Sequence, residues 1–225
     1  MRRISIINTK GGCGKTTIAS NLASCYAAAG YKTALFDYDP QGSSMRWMRT
    51  RPQDAAIIHG VAAFQPVNTS VTRTWQLRVP PETQRIIIDT PAGLSNANLV
   101  NILKDNDTII IPVLPSMIDI HATADFIRDL LLIGKVRRDK TRIAIIANRV
   151  KPNTIAFQSL ERFLDSLNIP FIARIRETQN YIHASDQGIG IHEIKSKQTQ
   201  QDQEVWSDIL DWLEETDTSI KHEGI

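Results

Sequence analysis

The sequence predicts an α/β fold: a single domain on a mostly parallel central sheet, with helices on both faces. Three observations predict it. Short apolar strand-like runs recur along the chain, at 2–8, 33–37, 85–89, 108–113, 142–147 and 171–173. Helical patterns separate several of them, which is how parallel strands are joined. The runs are mainly apolar, as expected of parallel strands covered from both sides. At 225 residues, 1–225 suits one domain with a sizeable core and would be cramped for two.

The elements follow in order. RRISIIN (2–8) is a β-rich run, and TTIASNLASCYAAAG (16–30) carries Ile18, Leu22, Cys25, Tyr26 and Ala29 on one helical face, with Gly30 as a stop. TALFD (33–37) is a buried strand. The region 43–83 is less legible, with arginines, prolines and one further strand at IIHGVAAF. RIIID (85–89), TIIIPV (108–113) and RIAIIA (142–147) continue the sheet, and FIA (171–173) closes it. Helices are expected over 121–134, over 154–167 with Leu160, Phe163, Leu164 and Leu167 on one face, and over 199–215 with Val205, Trp206, Ile209, Leu210 and Leu213. The last stripe reads as core packing, because its polar face is acidic and anionic lipid would repel it.

Composition excludes several classes. No apolar run reaches membrane-spanning length and no leader-like segment opens the chain, so a soluble cytoplasmic protein without a membrane partner is expected. Cys13 and Cys25 have neither metal spacing nor a disulfide pattern, and the five histidines are scattered. The net charge of +2 is small, but its distribution is uneven. Residues 135–151 hold Lys135, Arg137, Arg138, Lys140, Arg142, Arg149 and Lys151 against the single acid Asp139, whereas 202–217 holds seven acids and no lysine or arginine. Such asymmetry marks either a nucleic-acid face or two solvated surfaces.

The chemistry is concentrated in KGGCGKTT (10–17). A phosphate-binding loop reads G-x-x-x-x-G-K-[ST]; Gly14, Lys15 and Thr16 supply its second half, but Thr9 stands at the leading glycine and Lys10 adds a second lysine inside the loop. Gly11, Gly12 and Gly14 let the backbone curl with its N–H groups inward, and the following helix adds its positive end, so the segment is an anion site. Lys15 would reach the outer phosphates of a nucleotide and the Thr16 hydroxyl would ligate Mg²⁺. Asp89 ends one apolar strand, where open α/β sheets bind ligands. Asp37 and Asp39 end another, two residues apart and so on one side of it. A carboxylate at such a place can hold Mg²⁺, and another can orient water.

KGGCGKTT, DYDPQGS, IIIDTPAG and IIIPVLPS, in this order, resemble the ParA/MinD family of deviant-Walker ATPases, over most of the chain. The resemblance implies a single-domain P-loop NTPase in which the loop strand lies beside the strand ending in Asp89. It implies ATP and Mg²⁺ as cofactors, with Gly11, Gly12, Cys13, Gly14, Lys15, Thr16 and Thr17 around the phosphates and Thr16, Asp37 and Asp89 on the metal side. It also implies a homodimer with ATP sandwiched between the subunits. There Lys10 crosses to the partner's nucleotide like an arginine finger in trans, and Asp39 positions the attacking water. Asn148 matches the family's adenine-contacting asparagine; a guanine-reading N-K-x-D is excluded by Arg149 and Lys151. Asp119 would contact nucleotide or partner, or cap a helix, and the cap is the reading taken.

Lys10 lies too near the start of the sequence for a preceding helix-turn-helix domain, so the resemblance is to the short ParA type. Such proteins bind the nucleoid without sequence preference. They segregate plasmids or chromosomes, or position carboxysome-like bodies, with a ParB-like or McdB-like adaptor that stimulates hydrolysis. Arg149, Lys151, Arg174 and Arg176 are the DNA-contact candidates; Arg149 and Arg176 alternatively serve the nucleotide pocket. The other reading is a MinD-like ATPase that acts with a protein or membrane partner and not on DNA. Its basic amphipathic C-terminal helix has no match in SIKHEGI (219–225), and an iron-protein-like reductase would need cluster cysteines beyond Cys25.

Overall fold

The computed structural model describes residues 1–66, 72–94, 96–103, 105–132, 140–151, 154–165 and 169–215, with backbone alone at 96–98 and 156. Strands and helices alternate: β1 (Arg2–Ile6), α1 (Lys15–Ala28), β2 (Thr33–Asp37), α2 (Ser43–Thr50), β3 (Ile58–Ala62), α3 (Arg73–Gln76), β4 (Arg85–Asp89) and α4 (Asn96–Leu103). Then come β5 (Thr108–Val113), α5 (Met117–Leu132), β6 (Arg142–Val150), α6 (Ile155–Asp165), β7 (Phe171–Arg176), α7 (Gln179–Asp186) and α8 (Gln200–Glu214). A short 3₁₀ turn, Ile191–Glu193, follows α7.

The strands form one sheet in the order β3-β2-β4-β1-β5-β6-β7, and every pairing among them is parallel. The loop strand β1 does lie beside β4. Side chains of successive residues leave on opposite faces, so each strand feeds two cores. Ile4, Ile6, Ile87 and Ile110 join α1 and α8 through Leu22, Tyr26, Trp206 and Ile209. On the other face Ile109, Ile111 and Ile145 meet Phe126 and Leu130 of α5 and Leu160 and Leu164 of α6. The register aligns Ile6 with Asp89 and Asp37 with Asp89, so three neighbouring strands end level at one edge.

Some boundaries differ from expectation. β6 and β7 run on to Val150 and Arg176, through arginines that interrupt the apolar runs. α2, α3, α4 and α7 are additional helices. α5 begins at Met117, not near residue 121, which corrects the reading of Asp119 as its cap. Ser116 precedes the helix and Asp119 is its third residue; the Asp119 N–H donates to Ser116 Oγ at 3.2 Å and the Ser116 hydroxyl donates to the Asp119 carboxylate.

The uneven charge also acquires structure. Lys135, Arg137, Arg138 and Asp139 of the basic run lie outside the described residues, as do Asp217, Leu167 and 219–225. Arg142 stacks on Trp212 at 3.8 Å and donates to the carbonyls of Trp212 and Glu215 at 2.8 and 3.1 Å. Arg2 donates to Leu213 O at 2.6 Å. Together they satisfy the open carbonyls at the end of α8. Glu214, from the acidic stretch, accepts Arg85 at 2.7 and 3.1 Å and the Tyr26 hydroxyl at 2.9 Å.

Arg51, just past α2, is similarly committed. Its guanidinium grips Glu193 at 2.7 and 2.9 Å and also donates to Ala56 O and Gly188 O. Gly188 sits at φ 66°, and a Cβ there would fall 2.4 Å from Arg51 N. The Arg51 side chain is 6% exposed and that of Glu193 15%. Removing one partner of such a pair strands the other charge, so Arg51→Ala should lower stability by about 3 kcal/mol in urea unfolding.

Candidate functional site

The site is built where β1, β4 and β2 end together. Asn8, 1% exposed, pins the start of the loop: its amide donates to Pro112 O of β5 at 2.7 Å and its Oδ1 accepts the Lys10 N–H at 3.0 Å. The segment after β4 braces the same turn, with the Gly93 N–H on Thr9 O at 3.0 Å and the Thr90 hydroxyl on Ile6 O at 2.8 Å. Gly14 opens α1 at φ 94°, and a Cβ there would lie 1.9 Å from Asn148 Nδ2. That amide donates to Cys13 O at 2.8 Å, so β6 clasps the loop at the residue where only glycine fits.

The two lysines take opposite positions. Lys15 is buried, and its ammonium donates to Lys10 O at 2.8 Å, across the curl of the loop. Lys10 is half-buried, and its ammonium has no hydrogen-bond partner among the described residues. Cys13 donates its thiol proton to Lys10 O at 3.3 Å, and burial pushes that thiol above its usual range, which keeps it protonated.

Asp89 is the centre of the acidic side of the site. Its Oδ2 accepts the Thr16 hydroxyl at 2.8 Å and the Ser44 hydroxyl at 2.7 Å, while its Oδ1 is buried with no partner among the described residues. Burial pushes its pKa up to about 7, against the lowering effect of the two hydroxyls. An orphaned, fully buried carboxylate oxygen beside a loop hydroxyl fits a hard cation that takes oxygen ligands. No group of three or more His, Cys, Asp or Glu is gathered among the described residues. Mg²⁺ is held by one or two carboxylates together with substrate phosphates. Asp37 is turned toward backbone: its oxygens accept the N–H groups of Asp39 and Met45, each at 3.0 Å, and burial raises its pKa. Asp39 is half-buried and accepts the Gln41 N–H at 2.9 Å.

A cavity of about 710 Å³ lies beyond Thr17, walled by Asn148 and Arg149 of β6, Glu177 past β7 and Tyr181 of α7. Its size suits a nucleoside. The sheet thus brings Lys10, Gly11, Gly12, Cys13, Gly14, Lys15, Thr16 and Thr17 together with Asp37, Asp39, Asp89 and Asn148. Two residues escaped sequence reasoning: Asn8 and Ser44. A lone Asn at a strand end and a second Ser in QGSS were the available signals.

The basic candidates are less coherent. Lys151 pairs with Glu177 at 2.9 Å, and Arg174 with Glu161 at 2.9 Å over the rings of Phe157 and Phe171. Arg176 holds Asp202, 2% exposed, through two bonds of 2.7 and 2.9 Å. Arg149 is exposed and its side chain makes no hydrogen bond or ion pair among the described residues.

The loop, its buried lysine and the hydroxyl–carboxylate pair at level strand ends define a phosphate-loop nucleotide-binding protein. The sequence profile of the CobQ/CobB/MinD/ParA nucleotide binding domain matches residues 4–191, and the chain belongs to that family, among its ParA/MinD-type ATPases. The maintenance of carboxysome distribution protein A of Halothiobacillus neapolitanus is 25% identical over 195 residues, 86% of this chain and 88% of that one. Its namesake from Gloeobacter kilaueensis is 30% identical over 199 residues, 87% and 86% of the two chains. A Cyanothece McdA–ATP complex superposes with a TM-score of 0.71 at 16% identity over 95% of this chain and 96% of that one, a likeness of fold. Among the described residues no helix is long and apolar enough to cross a membrane.

The Gly14–Asn148 contact is testable. Gly14→Ala forces a left-handed φ on a residue with a side chain and drives it into the Asn148 amide, strain of about 1–3 kcal/mol. Titration calorimetry with ADP should show binding weakened by about tenfold or more.

Proposed function

We propose that the chain is an ATP-driven dimerisation switch that positions a large cargo on nucleoid DNA in the cytoplasm, with an adaptor protein stimulating hydrolysis. The observation that carries this reading is the unpartnered ammonium of Lys10, half-buried on the loop where Lys15 is already folded inward. A single molecule has one lysine for its phosphates; the second is available to a nucleotide held by a second copy. The carboxysome-distribution relatives supply the kind of cargo, and their names support positioning over transport or biosynthesis.

In this reading the loop N–H groups and the positive end of α1 bind the phosphates, and Lys15 shifts from Lys10 O to the outer phosphates. Thr16 and Asp89 would hold Mg²⁺, with Asp37 ordering the turn beneath; the ion supplies charge neutralisation at the phosphate oxygens. Asp39 accepts from and aligns the attacking water, Lys10 of one subunit stabilises charge on its partner's nucleotide, and Asn148 with the adjoining cavity takes the adenine. Lys10→Ala should leave ADP affinity within a few-fold while removing ATP-dependent dimerisation in light scattering. Unchanged dimerisation and turnover would remove the trans role.

The DNA component rests on Arg149, Lys151, Arg174 and Arg176. Three of these are paired with acids, which favours the second reading, a MinD-like ATPase acting on a protein partner and not on DNA. Duplex binding distinguishes them. A two-fold dimer doubles the cations on one face, and log K falls with log salt by about 0.9 per phosphate neutralised. Mobility shifts on random-sequence DNA should appear with ATP, vanish with ADP, and weaken when Arg174, which lies outside the nucleotide cavity, is changed to Glu. Arg176 is left intact because reversing it would strand buried Asp202. No shift with ATP at low salt would leave the protein-partner reading.

A further inference from the structure

The nucleotide reading leaves Ser44 without a role. It is the second residue of α2 and fully buried, and its hydroxyl donates to Asp89 Oδ2 at 2.7 Å. The same oxygen accepts Thr16 at 2.8 Å, so one carboxylate oxygen is held from the first turns of both α1 and α2. The next residue, Met45, donates its N–H to Asp37 at 3.0 Å, and Asp37 is the register partner of Asp89 on the neighbouring strand. The start of α2 therefore lies across both strand-end carboxylates. Its far end is fixed by Arg51 to Glu193 and Gly188 O, in the segment that follows the α7 wall of the cavity.

A carboxylate with two donors on one oxygen has a set orientation, and the buried, partnerless oxygen is what remains for a cation. The Thr16 hydroxyl has one proton and two lone pairs, so it can keep its bond to Asp89 while offering a lone pair to a metal. Among the described residues the Ser44 hydroxyl makes this one hydrogen bond, to Asp89.

We propose that Ser44 is a positioning residue for Asp89, fixing the carboxylate that takes Mg²⁺ and transmitting metal occupancy to α2. This rests on the reading of Asp89 as a metal-side carboxylate. The test uses the full chain and the fluorescent probe N-methylanthraniloyl-ADP, titrated with Mg²⁺ from an EDTA-treated start. Ser44→Ala should raise the Mg²⁺ midpoint about tenfold or more and leave probe affinity in EDTA unchanged, as expected when a group orienting a metal ligand is removed. Ser44→Thr retains the hydroxyl and should retain the parent midpoint.

Asp89→Asn separates the two layers of the argument. If it leaves the Mg²⁺ response intact, the metal-side reading is wrong. If it removes the response and Ser44→Ala leaves the midpoint at the parent value, the Ser44 inference alone fails. Should Ser44→Ala not fold, hydrogen exchange on the parent decides: amides 43–50 should exchange more slowly with Mg²⁺ and ADP than with ADP in EDTA. Identical exchange in the two conditions overturns the coupling.

Discussion

Three parallel strands ending in register place Asp89 under the phosphate loop, and the rest of the site follows from that alignment. Because Ile6 and Asp37 are both level with Asp89, the loop leaving β1 and the turn leaving β2 emerge at one corner. Each then meets the same buried carboxylate, through Thr16 from one side and Ser44 from the other. Burial alone would favour the protonated acid. The hydroxyls and the nearby Lys15 charge oppose it, and the balance lies near neutrality. A group so balanced responds strongly to one added positive charge.

The same corner explains how two lysines in one loop come to differ. The Lys10 carbonyl faces inward and is occupied by Lys15 and the Cys13 thiol, so its own side chain is left toward solvent. An inward ammonium desolvates and pairs within the molecule. An outward one keeps its hydration until another surface displaces it. One turn of glycine-rich backbone thus separates a charge bound within the molecule from one without a hydrogen-bond partner among the described residues.

Much of this was legible in the sequence, for identifiable reasons. β2, β4 and β5 matched their apolar runs because strands buried on both faces stay apolar between their ends, where Asp37, Arg85 and Asp89 stand. β6 and β7 were read short because Arg149 and Arg174 interrupt their apolar runs, although Val150 and Ile175 beyond them are buried. α2 and α7 gave little signal: each buries only two residues, Ser44 and Trp47 in one, Tyr181 and Ala184 in the other. The loop residues and the three strand-end aspartates were visible because a special residue type stood at a position with a known geometric meaning. Asn8 and Ser44 had no such pattern, and the pairing of Arg176 with Asp202 joins positions 26 apart that no spacing rule connects.

The arginine cluster beneath α8 bears on how the chain reaches this state. Arg2 on the first strand closes carbonyls of the last helix, 211 residues away, and Arg85 and Arg142 bind the same helix end. Strands β1, β4 and β6 are therefore tied to a segment that follows all of them along the chain. Long-range closures of this kind are slow, since loop entropy is lost before the contact forms. On the ribosome the central strands emerge early, while their lower edge waits for α8. That edge of the core cannot close before α8 has been made, and the helix acts as the latch of the sheet.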